Sequence, residues 1–502
     1  MLDTIGKLLE RLLLQRFKEH LDAYGGRRRA QNQYGFRKGM GTETAVAKVL
    51  ELAELAATGP GQKDLCVLVA LDVKNAFNTL RWPVIDETLR KKKPPECLVE
   101  MFRSWLWDKT LLTEEDMAPR PVTCGVPQGS VLGPALWNVA YDGLLGMRVP
   151  PGVHLVGFTD NLAVIGKGVH TSPLEVGGHQ INIAKCLKYL GVILDQRLTF
   201  APHVDTVAKK AARSAAALAR LMPNIRGPDQ CKRKLLNIAV DSQLLYAAPA
   251  WISRVAVVAR TRANLIRPQR SVALRTIRAY CTVKDEAALV LVSTVPADLL
   301  GLERMRIRSR LAAVIALGEQ RPSKASVKRE ERATTISAWQ QRWATTKKGS
   351  WTRRCIPAIG RWLGRTAPLV PLTYHMSQAL SGHGCFQFYL FKRARAASPI
   401  CVQCLAHKDT AEHTLFACKE WEPFHEELIS RLSHRPFVFN VEDLVCGPEY
   451  EALPEDPVEK ARALEEAEER FRLFYKMVER IMTAKEEEER ARQADEARAA
   501  EP

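Results

Sequence analysis

Gly125-Val126-Pro127-Gln128-Gly129-Ser130-Val131-Leu132-Gly133-Pro134 lies between two apolar segments that each end in an aspartate. Upstream is Leu68-Val69-Ala70-Leu71-Asp72, and downstream is Leu155-Val156-Gly157-Phe158-Thr159-Asp160. Glycines around Pro127-Gln128 let the backbone run close under a ligand where a Cβ would clash. The Gln128 amide can then read that ligand by donating and accepting hydrogen bonds. Asp72 and Asp160, each expected to end a buried strand, are placed to share divalent metal ions for phosphoryl chemistry. A single aspartate at such a position is more often a turn or cap residue. Two of them about one glycine-rich loop shift the balance to a metal site.

Working outward, residues 1 to about 60 have helical periodicity, with Leu8, Leu9, Leu12 and Leu13 as the apolar stripe and a basic loop at Gly25-Gly26-Arg27-Arg28-Arg29. Thr42 is a candidate N-cap for a helix over Glu43–Ala57, which Pro60-Gly61 would end. Leu65–Leu71 has strand length, and Trp82–Lys92 should be helical up to Pro94-Pro95. Residues 153–166 suggest two strands folded about Asp160-Asn161. Lys188–Leu194 suggests one more strand, and helical patterns dominate from Val204 to about residue 345.

With Gln33-Tyr34-Gly35-Phe36-Arg37-Lys38-Gly39 ahead of them, these segments closely resemble a reverse transcriptase. Leu71-Asp72-Val73-Lys74-Asn75-Ala76-Phe77-Asn78 is similar to motif A, the Gly125–Pro134 loop to motif B, and Phe158-Thr159-Asp160-Asn161 to motif C. Lys188-Tyr189-Leu190-Gly191-Val192 is similar to the primer-gripping strand. Leu235–Trp251 and Ala287–Glu303 follow the thumb and post-thumb pattern of non-LTR (LINE-type) retrotransposon polymerases, above all the arthropod clade that inserts into ribosomal DNA.

The resemblance implies an α+β fold. Partial fingers and palm occupy 1–200, a helical thumb and connection 201–345, a linker and zinc knuckle 346–430, and a helical tail 431–502. It implies RNA-directed DNA polymerisation with Mg2+ or Mn2+ on Asp72 and Asp160. The partners would be an RNA template, a DNA primer or target, and deoxynucleoside triphosphates. Phe77 would exclude a sugar 2′-hydroxyl, Gln128 and Gly129 would lie along template and incoming nucleotide, and Arg37 would meet phosphates.

Three departures from the family pattern bear on activity. Motif C normally has two adjacent aspartates, whereas Asn161 removes one charge and the anionic oxygens that hard cations prefer. The interval between Leu162 and Lys188 is too short for the further palm helix and the lysine-bearing segment that follows it. Loss of that segment and skipped coding sequence explain this equally well. The chain also starts at a point resembling the middle of the fingers, without the endonuclease domain of full-length relatives, as a fragment would.

Cys401-x2-Cys404-x8-His413-x4-Cys418 offers three thiolates and an imidazole, a set suited to tetrahedral Zn2+, with His407 as the competing imidazole. Ser381–Trp421 resembles the C-terminal knuckle of the same clade. In the tail, Leu464, Phe471, Phe474, Val478 and Ile481 recur at a and d spacing over too few heptads for a coiled coil, so packing within the chain is expected.

A net charge of +18 and a pI near 9.4 suit a polyanionic partner bound with strong salt dependence. Charge alone does not separate RNA from DNA. No run of eighteen apolar residues occurs, so a membrane span is not expected. Twelve mostly scattered cysteines point to a reduced, intracellular setting, nucleus or cytoplasm. Two further readings stay open: a catalytically inactive nucleic-acid-binding remnant, and a telomerase or group II intron maturase. The second fits motifs A to C but not the 401–418 cluster.

Overall fold

The apolar run before the first aspartate forms the strand Cys66–Asp72, at one edge of a three-stranded antiparallel sheet. Asn161–Lys167 is the central strand and Val153–Phe158 the other edge. The computed structural model describes residues 4–23, 32–57, 66–107, 109–111, 120–127, 129–167, 174–176, 179–223, 227–317, 323–365, 372–432, 441–449 and 452–499. The chain divides into two units, Met1–Leu198 and Thr199–Pro502. The mixture of sheet and helix is α+β, as expected.

In the first unit, helices pack on the sheet and on one another. The helix Gly133–Leu145 follows the glycine-rich loop and buries Leu136, Trp137, Val139, Tyr141 and Leu145. Trp137, Tyr141 and Leu145 form a cluster with Ala76 and Leu162. A second cluster joins Leu13, Phe17 and Leu21 of Thr4–Ala23 to Trp82, Ile85, Leu89 and Phe102.

Several expectations need correction. On Thr4–Ala23 the buried face is Glu10, Leu13, Phe17 and Leu21. Leu8, Leu9 and Leu12 are all more than half exposed, because they flank that face. The buried Glu10 carboxylate is satisfied by Trp105 Nε1 at 3.0 Å and the Val131 amide at 2.5 Å. The hairpin tip is Thr159-Asp160, since Asn161 already pairs with Phe158 and Asp72 as the first residue of its strand. Lys188–Leu194 is a hairpin, Cys186–Tyr189 against Val192–Asp195, because Leu190 and Gly191 both adopt positive φ and turn the chain. Cys66–Asp72 is only partly buried, as befits an edge strand. The 25–29 loop and Pro60-Gly61 lie outside the described residues.

In the second unit a run of helices, Ala201–Ala219 onward, encloses a core rich in tryptophan. Asp285–Val292 buries every side chain from Ala287 to Val292, so this short helix is apolar all round. Trp343 and Trp362 are buried around it with their indole N–H groups given to the Ile356 and Val290 carbonyls, both at 2.7 Å. The tail is the 43-residue helix Pro457–Ala499, and Phe471, Phe474, Val478 and Ile481 enter this same core. Among the described residues no helix is long and apolar enough to cross a membrane.

The long helix carries one buried cation. Lys485, 1% exposed, reaches Asp409, 0% exposed, at 2.9 Å. Removing one member of a buried pair strands the other charge, which costs about 3–5 kcal/mol. We therefore expect Lys485→Met to lower the stability of the Thr199–Pro502 unit by about that amount, seen as a drop in the urea midpoint. An unchanged midpoint would show that the pair contributes nothing net.

Candidate functional site

Antiparallel pairing sets Asp72 directly opposite Asn161, and the Val73 amide donates to the Asp160 carbonyl at 3.2 Å. Asp72 thus ends its strand beside the turn that carries Asp160. Asp72 is exposed and Asp160 half-buried. Asn161 Nδ2 donates to Asp160 Oδ1 at 3.1 Å. That contact follows from the amide, since an aspartate at 161 could not donate.

The tip is held tightly. Thr159 takes φ 57°, a left-handed conformation costly for a β-branched residue. Its carbonyl accepts from Trp137 Nε1 at 2.7 Å. Gly35 packs against its other side: a Cβ there would lie 2.3 Å from the Thr159 nitrogen. The segment around Gly35 is itself pinned to the sheet edge, with Tyr34 N donating to Gly157 O and Gly157 N to Asn32 O, each at 2.8 Å.

Phe77 stands in a column of rings. Phe36 meets it edge-on at 5.9 Å, Trp137 lies 5.3 Å from its other side, and Tyr141 stacks on Trp137 at 5.3 Å. The Tyr141 hydroxyl is buried with no hydrogen-bond partner among the described residues. Burial, with the nearby Asp160 and Asp72 carboxylates, pushes its phenol up to about 12.

The glycine-rich loop runs beside these groups. Val126 N donates to Phe77 O and Gly125 N to Leu80 O, both at 2.8 Å. Gly125 has φ +87°, and a Cβ there would meet Asn78 O at 2.8 Å, so only glycine allows this approach. Gly129 also has positive φ and is exposed. Gln128 lies outside the described residues. Arg37 Nη1 donates to Gln33 O at 3.0 Å and lines a cavity of about 60 Å³ with Gln33, Asn138, Lys92 and Asp142.

In the second unit, one ligand atom each from Cys401, Cys404, His413 and Cys418 lies within 4.8 Å of all the others. Cys401 Sγ is 3.8 Å from Cys418 Sγ, and Cys404 Sγ is 3.3 Å from His413 Nε2. A tetrahedron with metal–sulfur bonds of about 2.3 Å has sulfur–sulfur edges of about 3.8 Å, so the set fits zinc. His413 comes from the helix Ala411–Phe416, whose first turn is capped by Thr410, and Cys418 follows it. His407 contributes its carbonyl to the Cys401 amide and stays outside the ligand set.

Sequence reasoning did not single out Trp137, Tyr141, Asp409 or Lys485, and it named Gly35 only as part of the 33–39 segment. The i, i+4 spacing of Trp137 and Tyr141 after Gly133-Pro134 was the available signal.

Residues 1–197 match the family model described as reverse transcriptase (RNA-dependent DNA polymerase). A 115 kDa protein of the type-1 retrotransposable element R1DM of Drosophila melanogaster is 24% identical over 473 residues, 83% of this chain and 45% of its own. A Pol polyprotein from an R1 element of Nasonia vitripennis is 27% identical over 359 residues, 60% of this chain and 86% of its own. An RNA-directed DNA polymerase from the mobile element jockey of Drosophila melanogaster is 25% identical over 329 residues, 55% of this chain and 35% of its own. The chain spans about half the length of the R1DM protein and of the R1 polyprotein of Bradysia coprophila, 45% and 46%.

The contact between Gly35 and Thr159 has a direct test. Gly35→Ala must push back the turn or the 33–37 segment, an overpacking cost of about 1–3 kcal/mol. We expect a lower thermal midpoint for this variant. A wild-type midpoint would mean that the turn yields freely.

Proposed function

Residues 1–197 carry a reverse transcriptase domain related to those of R1 and jockey non-LTR retrotransposons, and from that premise we propose that this chain is the polymerase part of such a protein, shaped for RNA-directed DNA synthesis. The observation that supports the reading is the pairing of Asp72 with Asn161, which brings the end of the Asp72 strand beside the turn bearing Asp160, with the glycine-rich loop bonded to Phe77 nearby. In this reading Met1–Leu198 supplies partial fingers and palm, and the helices from 201 to 345 supply thumb and connection. Asp72 and Asp160 would hold Mg2+ or Mn2+. Such cations stabilise charge on the attacking and departing oxygens of an in-line displacement.

The chain's own residues then position the reactants. Phe77, with the Trp137 ring 5.3 Å away, would meet the sugar of a deoxynucleoside triphosphate and exclude a 2′-hydroxyl. Gly129, exposed and without Cβ, leaves room for template or nucleotide, and Gln128 would read it by hydrogen bonds. Arg37 would turn toward phosphate. An RNA template and a DNA primer or target are the implied partners.

The second reading, a catalytically inactive nucleic-acid-binding remnant, is favoured by Asn161. Its amide supplies no anionic ligand and already holds Asp160 Oδ1. Between Leu162 and Lys188 the described residues contain only strand and turn, where the family places a helix. Misplacement by about 1 Å can cost on the order of a hundredfold in rate. We expect the chain to extend a DNA primer on RNA poorly with Mg2+ or Mn2+, and Asn161→Asp alone not to restore it. Asn161→Asp combined with the missing palm segment should restore synthesis. Robust synthesis by the unmodified chain, abolished by Asp72→Ala, would show the short palm to be sufficient.

The 401–418 module would hold one structural Zn2+ through Cys401, Cys404, His413 and Cys418. Next to it, Lys392 and Arg393 lie over the rings of Phe388 and Tyr389 at 4.2 and 5.6 Å, with Arg395 and Lys408 exposed nearby. Cations interleaved with aromatic rings suit a nucleic-acid strand. Metal bound this way contributes folding free energy. The purified chain should contain one zinc by elemental analysis, and chelation should unfold the second unit as followed by circular dichroism. A metal-free chain that keeps its cooperative unfolding would overturn the zinc assignment.

A further inference from the structure

We propose that Trp137 is a positioning residue for the carboxylate pair, its indole N–H holding the Thr159-Asp160 turn in the conformation that admits a divalent cation. The proposal rests on the reading of Asp72 and Asp160 as a cation site.

Thr159 occupies a left-handed conformation, at φ 57°, that a β-branched residue leaves unless something holds it. Three contacts do so. Trp137 Nε1 donates to the Thr159 carbonyl at 2.7 Å, Val73 N donates to the Asp160 carbonyl at 3.2 Å, and Gly35 blocks the side of the Thr159 nitrogen. Of these, only the indole contact comes from a side chain reaching across from the helix Gly133–Leu145.

The indole has little freedom to choose another partner. It is 4% exposed, with the rings of Phe77 and Tyr141 each 5.3 Å away and Ala76, Leu145 and Leu162 in the same cluster. The Thr159 carbonyl belongs to the peptide immediately before Asp160. If that peptide relaxes toward an extended conformation, the Asp160 side chain turns with it and away from Asp72. The requirement is sharper here than at a site with three carboxylates. Asn161 contributes no charge, so at this turn the anionic ligands are Asp72 and Asp160 and their relative placement matters more.

The same indole backs Phe77, the ring proposed to meet the sugar. One side chain therefore ties cation geometry to the sugar-facing wall. Two substitutions remove the N–H and keep an aromatic ring: Trp137→Phe, and replacement of Trp137 by 3-benzothienylalanine, which preserves the indole's size and stacking. The second decides the matter if the first folds poorly.

Mn2+ titrations followed by electron paramagnetic resonance on the full chain give the readout, with Asp72→Ala marking which binding belongs to the carboxylate pair. Loss of one hydrogen bond of ordinary strength should weaken the Asp72-dependent affinity about fivefold. The thermal midpoint should stay near that of the unmodified chain. A benzothienyl variant that binds Mn2+ as tightly as the parent overturns the role of the N–H and leaves the carboxylate reading standing. Equal binding by the parent and Asp72→Ala overturns both.

Discussion

The antiparallel register that sets Asp72 against Asn161 is the constraint on which the first unit depends. Side chains in a strand alternate between faces, so a slip of one residue would turn Asp72 to the opposite side and carry Leu71 into its place. Both flanks of the central strand hold that register. Cys66–Asp72 pairs along its whole length with Asn161–Lys167, and Val153–Phe158 fixes the other side through the tight turn. Gly157, on the outer strand, lies where an added Cβ would meet Leu145 and Tyr141. The sheet can therefore approach the helix Gly133–Leu145 closely enough for Trp137 to reach the turn.

Much of this arrangement was legible because it is local. Strand length before Asp72 and helical spacing from Trp82 are properties of short windows and appear where the pattern placed them, while the hairpin expected about Asp160-Asn161 turns one residue earlier, at Thr159-Asp160. The convergence of Cys401, Cys404, His413 and Cys418 was legible for the same reason, since their spacing nearly fixes which atoms can meet. What was not legible depends on contacts distant in sequence. Leu8, Leu9 and Leu12 look like a core stripe until the partners of Leu13 and Phe17 are known. Glu10 would be placed on the surface by composition, yet Trp105 and Val131 give it a buried home. Leu190-Gly191 was misjudged because a continuous apolar strand and a tight hairpin differ only in two backbone angles.

The segment around the 401–418 cysteine–histidine cluster shows how such contacts accumulate around a charge. Asp409 accepts from the Gln387 amide, from Thr414 Oγ1 and from Lys485, so its carboxylate is fully engaged without leaving the interior. Lys485 also donates to Gln403, which sits in the Cys401–Cys404 knuckle and reaches Glu488 through its amide nitrogen. Gln387 in turn donates to Glu489. The knuckle is thus framed by polar side chains from the long helix, and its geometry depends on residues some eighty positions further along the chain.

That long helix also sets an order of events during synthesis. A ribosome delivers Trp339, Trp343 and Trp362 well before Phe471, Phe474, Val478 and Ile481, the residues that close the core around them. The nascent second unit must hold an open apolar surface until the helix Pro457–Ala499 emerges, a state prone to aggregation and to capture by chaperones. A ribosome stalled at Glu455 would present the tryptophans, the helix Asp285–Val292 and the knuckle with one wall missing. Completion of this core therefore waits on residues made more than a hundred positions after Trp343.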